Sequence, residues 1–159
     1  MEGEPLTILL VEDDPQYTEI VKISFRNKQV ANRMYHVSDG EAALDYLFRR
    51  GEYADPGKNP RPHVVLLDLS LPGIDGFNVL REIKKSKMLR NIIVVVLATS
   101  IDESRLGSAY DCRADGYLLK PVSFSGFTHM MSELGFYWLA WNTRPYNQFK
   151  DDERDMSSG

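Results

Sequence analysis

Pro62-His63-Val64-Val65-Leu66-Leu67-Asp68-Leu69-Ser70-Leu71-Pro72-Gly73 is the stretch from which the fold can be read. An unbroken apolar run of this length, too short for a free-standing helix and bounded by prolines, predicts a central strand of a parallel sheet covered on both faces. It ends on a carboxylate. Asp68 therefore falls where the buried strand emerges at its carboxyl end, the edge at which open α/β folds place their ligands.

Upstream, Leu6-Thr7-Ile8-Leu9-Leu10-Val11 is a second buried-strand pattern, and it runs straight into Glu12-Asp13-Asp14-Pro15. Proline fits the first position of a helix and Asp the cap before it, so Asp14 reads as an N-cap and Pro15 as the start of a helix reaching about Asn27. Ile20, Val21, Ile23 and Phe25 supply its apolar surface, with Ile20 and Ile23 the clearest helical pair. A short strand over 33–37 precedes Asp39-Gly40, and a helix with Ala42, Ala43, Leu44, Leu47 and Phe48 follows, ending near Gly51. The glycines and prolines of 51–62 argue against regular structure and predict a surface loop.

Downstream, Pro72-Gly73-Ile74-Asp75-Gly76 leads into a helix with Phe77, Val79, Leu80 and Ile83 that frays in Lys84-Lys85-Ser86-Lys87, lysines that complement the helix dipole. Residues 92–97 form a third apolar run. A short helix is expected over about 103–111, and Gly116-Tyr117-Leu118-Leu119 is a short strand ending on Lys120-Pro121. A last helix starts near Ser123, where Phe127, Met131, Leu134, Trp138 and Trp141 fall on one apolar stripe. Phe124, Phe136 and Tyr137 lie off that stripe and hint at a partner face.

The chain has 159 residues, 43% hydrophobic and 26% charged, which suits one domain with a real core. A net charge of −4 gives no basic footprint for nucleic acid. Cys112 is the only cysteine, the start lacks the design of a signal peptide, and no apolar run approaches the roughly 20 residues needed to cross a bilayer. A soluble, cytoplasmic protein without a membrane partner is expected. No internal repeat is present.

Strand and helix alternate five times, which implies a parallel sheet with right-handed crossovers and helices on both faces. Three strands then deliver polar residues to one edge: Glu12 and Asp13 after the first, Asp68 after the third and Lys120 after the fifth. Three acids beside one lysine in an apolar setting repel one another, and a divalent cation relieves that cost. Oxygen ligands with waters retained suit Mg²⁺ or Mn²⁺ better than zinc.

With these pieces in order, the chain resembles a receiver domain, the phosphoacceptor module of two-component response regulators. The resemblance rests on Leu9-Leu10-Val11-Glu12-Asp13-Asp14-Pro15, Leu66-Leu67-Asp68-Leu69-Ser70-Leu71-Pro72-Gly73, Asp75-Gly76-Phe77 and Ala114-Asp115-Gly116-Tyr117-Leu118-Leu119-Lys120-Pro121. The Pro-rich loop before His63 and Phe136-Tyr137-Trp138-Leu139 narrow it to stand-alone regulators associated with phytochrome-type histidine kinases. It implies a flavodoxin-like doubly wound (βα)5 sheet in strand order 2-1-3-4-5. Residues 1–5 are then a leader, 6–142 the receiver domain, and 143–159 a tail whose end is expected to be disordered.

The same resemblance implies the roles. Asp68 would accept a phosphoryl group from a histidine kinase or phosphotransfer protein; Glu12, Asp13, Asp68 and the Ser70 backbone carbonyl would hold Mg²⁺, with Mn²⁺ as substitute; Lys120 would contact a phosphoryl oxygen. The Lys120–Pro121 bond is expected to be cis. A carboxylate that attacks phosphohistidine needs its charge offset, and a metal and a lysine do this. The module would take up one phosphoryl group and promote its loss without being a multiple-turnover enzyme. The fourth helix, fifth strand and last helix, including Tyr110, Tyr117 and Phe124, are the expected readout face and a candidate homodimer interface. The downstream partner is not legible.

One position departs from the family. Receivers carry Thr or Ser at the end of strand four, and an ungapped count from Asp68 puts Ala98 there. Thr99 is adjacent, but its side chain would point to the opposite face. In the family that hydroxyl moves inward on phosphorylation and the strand-five aromatic, here Tyr117, follows. A bulge at Ala98 is the irregularity that would present Thr99 or Ser100 instead. Ala98 thus motivates an alternative, a phosphate sink or a phosphorylation-independent interaction module.

Other classes fit less well. A nucleotide or flavin site wants backbone N–H groups in the first turn, where this chain has the anionic Glu12-Asp13-Asp14. A dehalogenase-type phosphatase wants a second acid two residues after its Asp, where this chain has Ser70. His36, His63 and His129 share no catalytic or metal-ligand spacing and read as structural.

Overall fold

The computed structural model describes residues 6–26, 32–71, 73–99 and 114–133. Their elements are β1 (Leu6–Val11), α1 (Pro15–Phe25), β2 (Asn32–Val37), α2 (Gly40–Phe48), β3 (Val64–Asp68), α3 (Gly76–Lys85), β4 (Ile93–Ala98), β5 (Gly116–Leu119) and α4 (Phe124–Glu133). The five strands form one parallel sheet in the order β2-β1-β3-β4-β5. That is the flavodoxin-like order expected. The helix anticipated over 103–111, and Tyr110, Cys112, Leu134, Phe136, Tyr137, Trp138 and Trp141, lie outside the described residues.

Every residue of β1, β3 and β4 is buried, as unbroken apolar runs in a doubly covered sheet require. Alternation along the strands separates two cores. Leu9, Val11, Val65, Leu67, Val94, Val96 and Ala98 face α2 and α3, packing on Leu44, Leu47, Val79, Leu80 and Ile83. Ile8, Leu10, Val64, Leu66, Val95 and Leu97 face α1 and α4, packing on Val21, Phe25, Phe127 and Met131. The Phe127 and Met131 part of the predicted stripe is therefore core.

Local signals fix the helix starts. Asp14 Oδ1 accepts from the amides of Gln16 at 2.9 Å and Tyr17 at 3.4 Å, with Pro15 leading the helix. Asp39 and Asp75 cap α2 and α3 through the amides of Ala42 and Asn78. For α4, Ser123 Oγ accepts the Gly126 amide at 3.0 Å.

Three sequence expectations are corrected. Ile20 and Ile23 are 51% and 61% exposed, while α1 buries Tyr17, Thr18, Val21 and Phe25; Tyr17, Val21 and Phe25, four residues apart, make the inward stripe, and the isoleucines fall on the opposite side. Phe124, read as partner surface, is half-buried edge-on against Phe25, with ring centroids 5.1 Å apart. The loop over 51–62 opens with a 3-10 turn, Gly51–Tyr53. A left-handed Arg49 ends α2, Gly51 follows at φ 56°, and the Tyr53 amide donates to the Arg50 carbonyl at 3.1 Å.

Candidate functional site

The carboxyl ends of β1, β3 and β5 meet around Lys120. Past the end of β1, the Glu12 amide still donates to the Val37 carbonyl at 3.1 Å, so Glu12 extends the ladder by one residue. On extended backbone, neighbours point oppositely. The Glu12 side chain accordingly turns into the protein, 1% exposed, and Asp13 outward to solvent. Its carbonyl is braced by His36, whose Nε2 lies 2.8 Å away and also 3.4 Å from Thr18 Oγ1. Because a carbonyl only accepts, this Nε2 carries the proton.

Asp68, the last residue of β3, is also 1% exposed. Its Oδ1 accepts the Ser70 amide at 3.0 Å, and its Oδ2 accepts from Lys120 Nζ at 3.1 Å. The ammonium equally donates to Glu12 Oε1 at 3.4 Å and stands 3.1 Å from Glu12 Oε2. That shorter distance lacks hydrogen-bond geometry, so Oε2 is a buried carboxylate oxygen without a hydrogen-bond partner. The Lys120 amide donates to the Ala98 carbonyl at 2.9 Å, which continues the β4–β5 ladder to the base of the side chain. The Lys120–Pro121 bond is cis, as the resemblance implied.

Burial pushes the Glu12 carboxyl up to about 7, and the Asp68 charge adds to it against the pull of Lys120. Burial lowers the Lys120 ammonium, but its hydrogen bonds and the charges of Asp68 and Glu12 outweigh that and hold it above the ordinary lysine value. One cation thus serves two buried acids. Carboxylate oxygens of Glu12, Asp13 and Asp68 lie within 4.8 Å of one another. The surplus negative charge, the all-oxygen donor set and the orphaned Oε2 fit a hard divalent cation.

The loop after Asp68 is held from two sides. A Cβ on Gly76 would stand 2.5 Å from the Asp68 carbonyl oxygen and 2.8 Å from Leu69 Cα, so only glycine lets α3 start there. Gly73 has a left-handed φ of 70°, and the Glu41 carboxylate fills the space beside it while accepting the Ile74 amide at 3.2 Å. Glu41 was not singled out from the sequence. Nor was Tyr17, whose ring lies under Lys120 Nζ, 4.6 Å from the centroid. Neither carries a local signal, since each acts on a segment distant in sequence.

Ala98 ends β4 fully buried, in unbroken register with Leu119, while Thr99 is exposed. No bulge shifts the strand up to Ala98. Alternation puts Ala98 on the α2/α3 side with Val94 and Val96, where half-buried Tyr117 also packs. Ser100 lies outside the described residues. The three histidines have structural partners: His36 as above, His63 accepting the Thr7 amide on Nδ1 at 3.0 Å, and His129 paired with Glu133.

Known proteins resemble this chain in sequence and fold. Residues 8–132 fit the description of the response regulator receiver domain, and the chain belongs to that family. It is 41% identical over 142 residues to the probable methanogenesis regulatory protein FilR2 of Methanothrix harundinacea, covering 89% of each chain. It is similar to the Mn²⁺-bound form of the response regulator Rcp1, with a TM-score of 0.68 and 35% identity over 89% of this chain and 99% of that one; Rcp1 is a Synechocystis protein. It is also similar to the phosphorylated cyanobacterial phytochrome response regulator RcpA, with a TM-score of 0.70 and 36% identity over 89% and 99% of the two chains. The resemblance to stand-alone, phytochrome-associated regulators is thus borne out.

Proposed function

We propose that this receiver domain accepts a phosphoryl group on Asp68 from a histidine kinase or phosphotransfer protein, with Mg²⁺, and signals through protein contacts. The observation that carries the reading is the Lys120 ammonium held between the buried carboxylates of Asp68 and Glu12, with Asp13 at the mouth. The phosphorylated state of RcpA and the Mn²⁺ of Rcp1 support it by similarity.

An Asp68 oxygen bonds to phosphorus as the bond from phosphorus to the donor imidazole nitrogen breaks, the electron pair staying on that nitrogen. Ser70 N–H and Lys120 orient the carboxylate, and Lys120 is placed to shift from carboxylate to phosphoryl oxygen. A cation held by Glu12, Asp13, Asp68 and the Ser70 carbonyl would neutralise the equatorial oxygens. Glu12 and Asp68 are buried among apolar residues, and Asp13 alone of the acids is exposed, so the donor enters from that side.

The test is labelling of the full chain by a small-molecule phosphodonor. Mg²⁺-dependent label is expected in the native chain, none in Asp68→Asn, and a native level in Asp75→Asn, since asparagine caps α3 as well as aspartate does. Label surviving in Asp68→Asn sinks the assignment.

Ala98 favours a second reading, in which phosphorylation leaves the β5 and α4 surface unchanged and the chain acts as a phosphate sink or constitutive module. Backbone amide shifts on adding beryllofluoride with Mg²⁺ separate the two. Shifts reaching Tyr117 mark a switch; shifts confined to the Asp68 pocket mark a sink. We also take the cytoplasm as its place; no helix among the described residues is long and apolar enough to cross a membrane. The domain limits 6–142 and a homodimer through the β5 face belong to the same proposal.

A further inference from the structure

The first turn of α1 and the segment after β5 meet across one side chain. Tyr17, the third residue of α1, is 8% exposed. Lys120 Nζ stands 4.6 Å from its ring centroid. At the far end of the ring, the phenolic oxygen accepts the Val122 amide at 2.9 Å in a buried hydrogen bond. Tyr17 therefore touches the residues on both sides of Pro121.

The phenol is neutral. Burial raises its pKa, with Glu12 and Asp68 adding to the rise against the Val122 amide and Lys120. A neutral ring offers the ammonium its negative π face without competing for it as an anion would. Lysine has a flexible four-carbon stem, and its ammonium is held at the site by the groups it touches, the carboxylates of Asp68 and Glu12. The ring supplies a third, apolar support, and the hydroxyl anchors the backbone two residues beyond Lys120.

Resting on the assignment of Asp68 as acceptor, we propose that Tyr17 is a positioning residue for Lys120. Its ring holds the ammonium at the Asp68 oxygen, and its hydroxyl fixes the Val122 backbone. The ring thereby sets how fast Asp68 gains the phosphoryl group without touching that group, and the hydroxyl contributes to stability.

The experiment compares the full native chain with Tyr17→Phe, Tyr17→Leu and a chain carrying trifluorophenylalanine at position 17, which keeps the ring's shape and removes its negative face. Labelling rate with a small phosphodonor, Mg²⁺ affinity by calorimetry and urea midpoint are read for each. Tyr17→Leu is expected to label about five-fold more slowly, the equivalent of one partly buried cation–π contact. Mg²⁺ affinity should stay within about two-fold, as Tyr17 is not itself one of the oxygen ligands and Lys120 keeps its charge in every variant. Tyr17→Phe should lower the urea midpoint through the unpaired Val122 amide yet label near the native rate, and the fluorinated ring should label as slowly as leucine. The proposal is overturned if the fluorinated chain labels like Tyr17→Phe, or if rates simply track urea midpoints; the fluorinated chain decides the matter even where Tyr17→Leu does not fold. A native chain that takes no label on Asp68 overturns the acceptor reading, and this one with it.

Discussion

Lys120 Nζ and Asp68 Oδ2 stand 3.1 Å apart, and Glu12 Oε2 stands 3.1 Å from the same ammonium. Burial first, and the neighbouring Asp68 charge second, give Glu12 its high pKa, and a cation shared with Asp68 offsets only part of that rise.

A pH dependence follows with a definite sign. The folded-state pKa of Glu12 is about 7 against an ordinary value of 4.5, so the folded chain binds more protons between those limits and loses stability as pH rises through them. Below 4.5 the group is protonated in both states and contributes nothing. Urea midpoints of the metal-free chain and of Glu12→Gln should therefore converge near pH 4.5 and diverge toward pH 7, with the variant the more stable. Saturating Mg²⁺ should stabilise the native chain at pH 7 and the variant much less. Parallel pH profiles for the two chains would refute the assignment.

Gly76 is where α3 touches the end of β3 at Asp68. In Gly76→Ala the new methyl meets the Asp68 carbonyl oxygen at 2.5 Å, a backbone atom that cannot rotate away. Overpacking of this kind costs about 1–3 kcal/mol. The displaced Asp68 backbone should also weaken Mg²⁺ binding, measurable by calorimetry. An unchanged metal affinity would show that the loop moves independently of Asp68.

At the opposite end of the sheet, Lys84 Nζ donates to the carbonyls of Arg90 and Ile92 and to Asp115 Oδ2, which also accepts the Val94 amide at 2.8 Å. The 2.9 Å ion pair is only 14% exposed on the lysine side. Lys84→Met leaves the Asp115 charge unpaired and should cost about 2–3 kcal/mol by urea unfolding. Labelling at Asp68 should survive, because this staple touches no residue of the site. Loss of label with stability retained would contradict that separation.

Ala98→Thr places a hydroxyl at the buried end of β4, beside the carbonyl that receives the Lys120 amide. Overpacking is expected to lower stability by about 1–2 kcal/mol. Beryllofluoride-induced amide shifts at Tyr117 should grow relative to the native chain, because both side chains share the α2/α3 core. Equal shifts in the two chains would show that Tyr117 does not depend on a hydroxyl here.

Much of the site was legible because its residues end continuous apolar runs. Glu12, Asp13, Asp68 and Lys120 each follow such a run, and parallel strands place all their carboxyl ends on one edge. The departure at Ala98 was countable for the same reason. The inward face of α1 was not, since Ile20 and Ile23 are as apolar as Val21 and Phe25 and only packing on the sheet chooses between them.

The sequence by itself thus determined the strands, the cap at Asp14 and the polar edge, because apolar runs, alternation and capping are local properties of the chain. Only the tertiary structure decided that Tyr17 supports Lys120, that Glu41 holds the loop at Ile74, and that Lys84 pairs with Asp115. Each of these joins segments more than thirty residues apart. Such contacts depend on how helices settle on the sheet, and no spacing within a single segment encodes that.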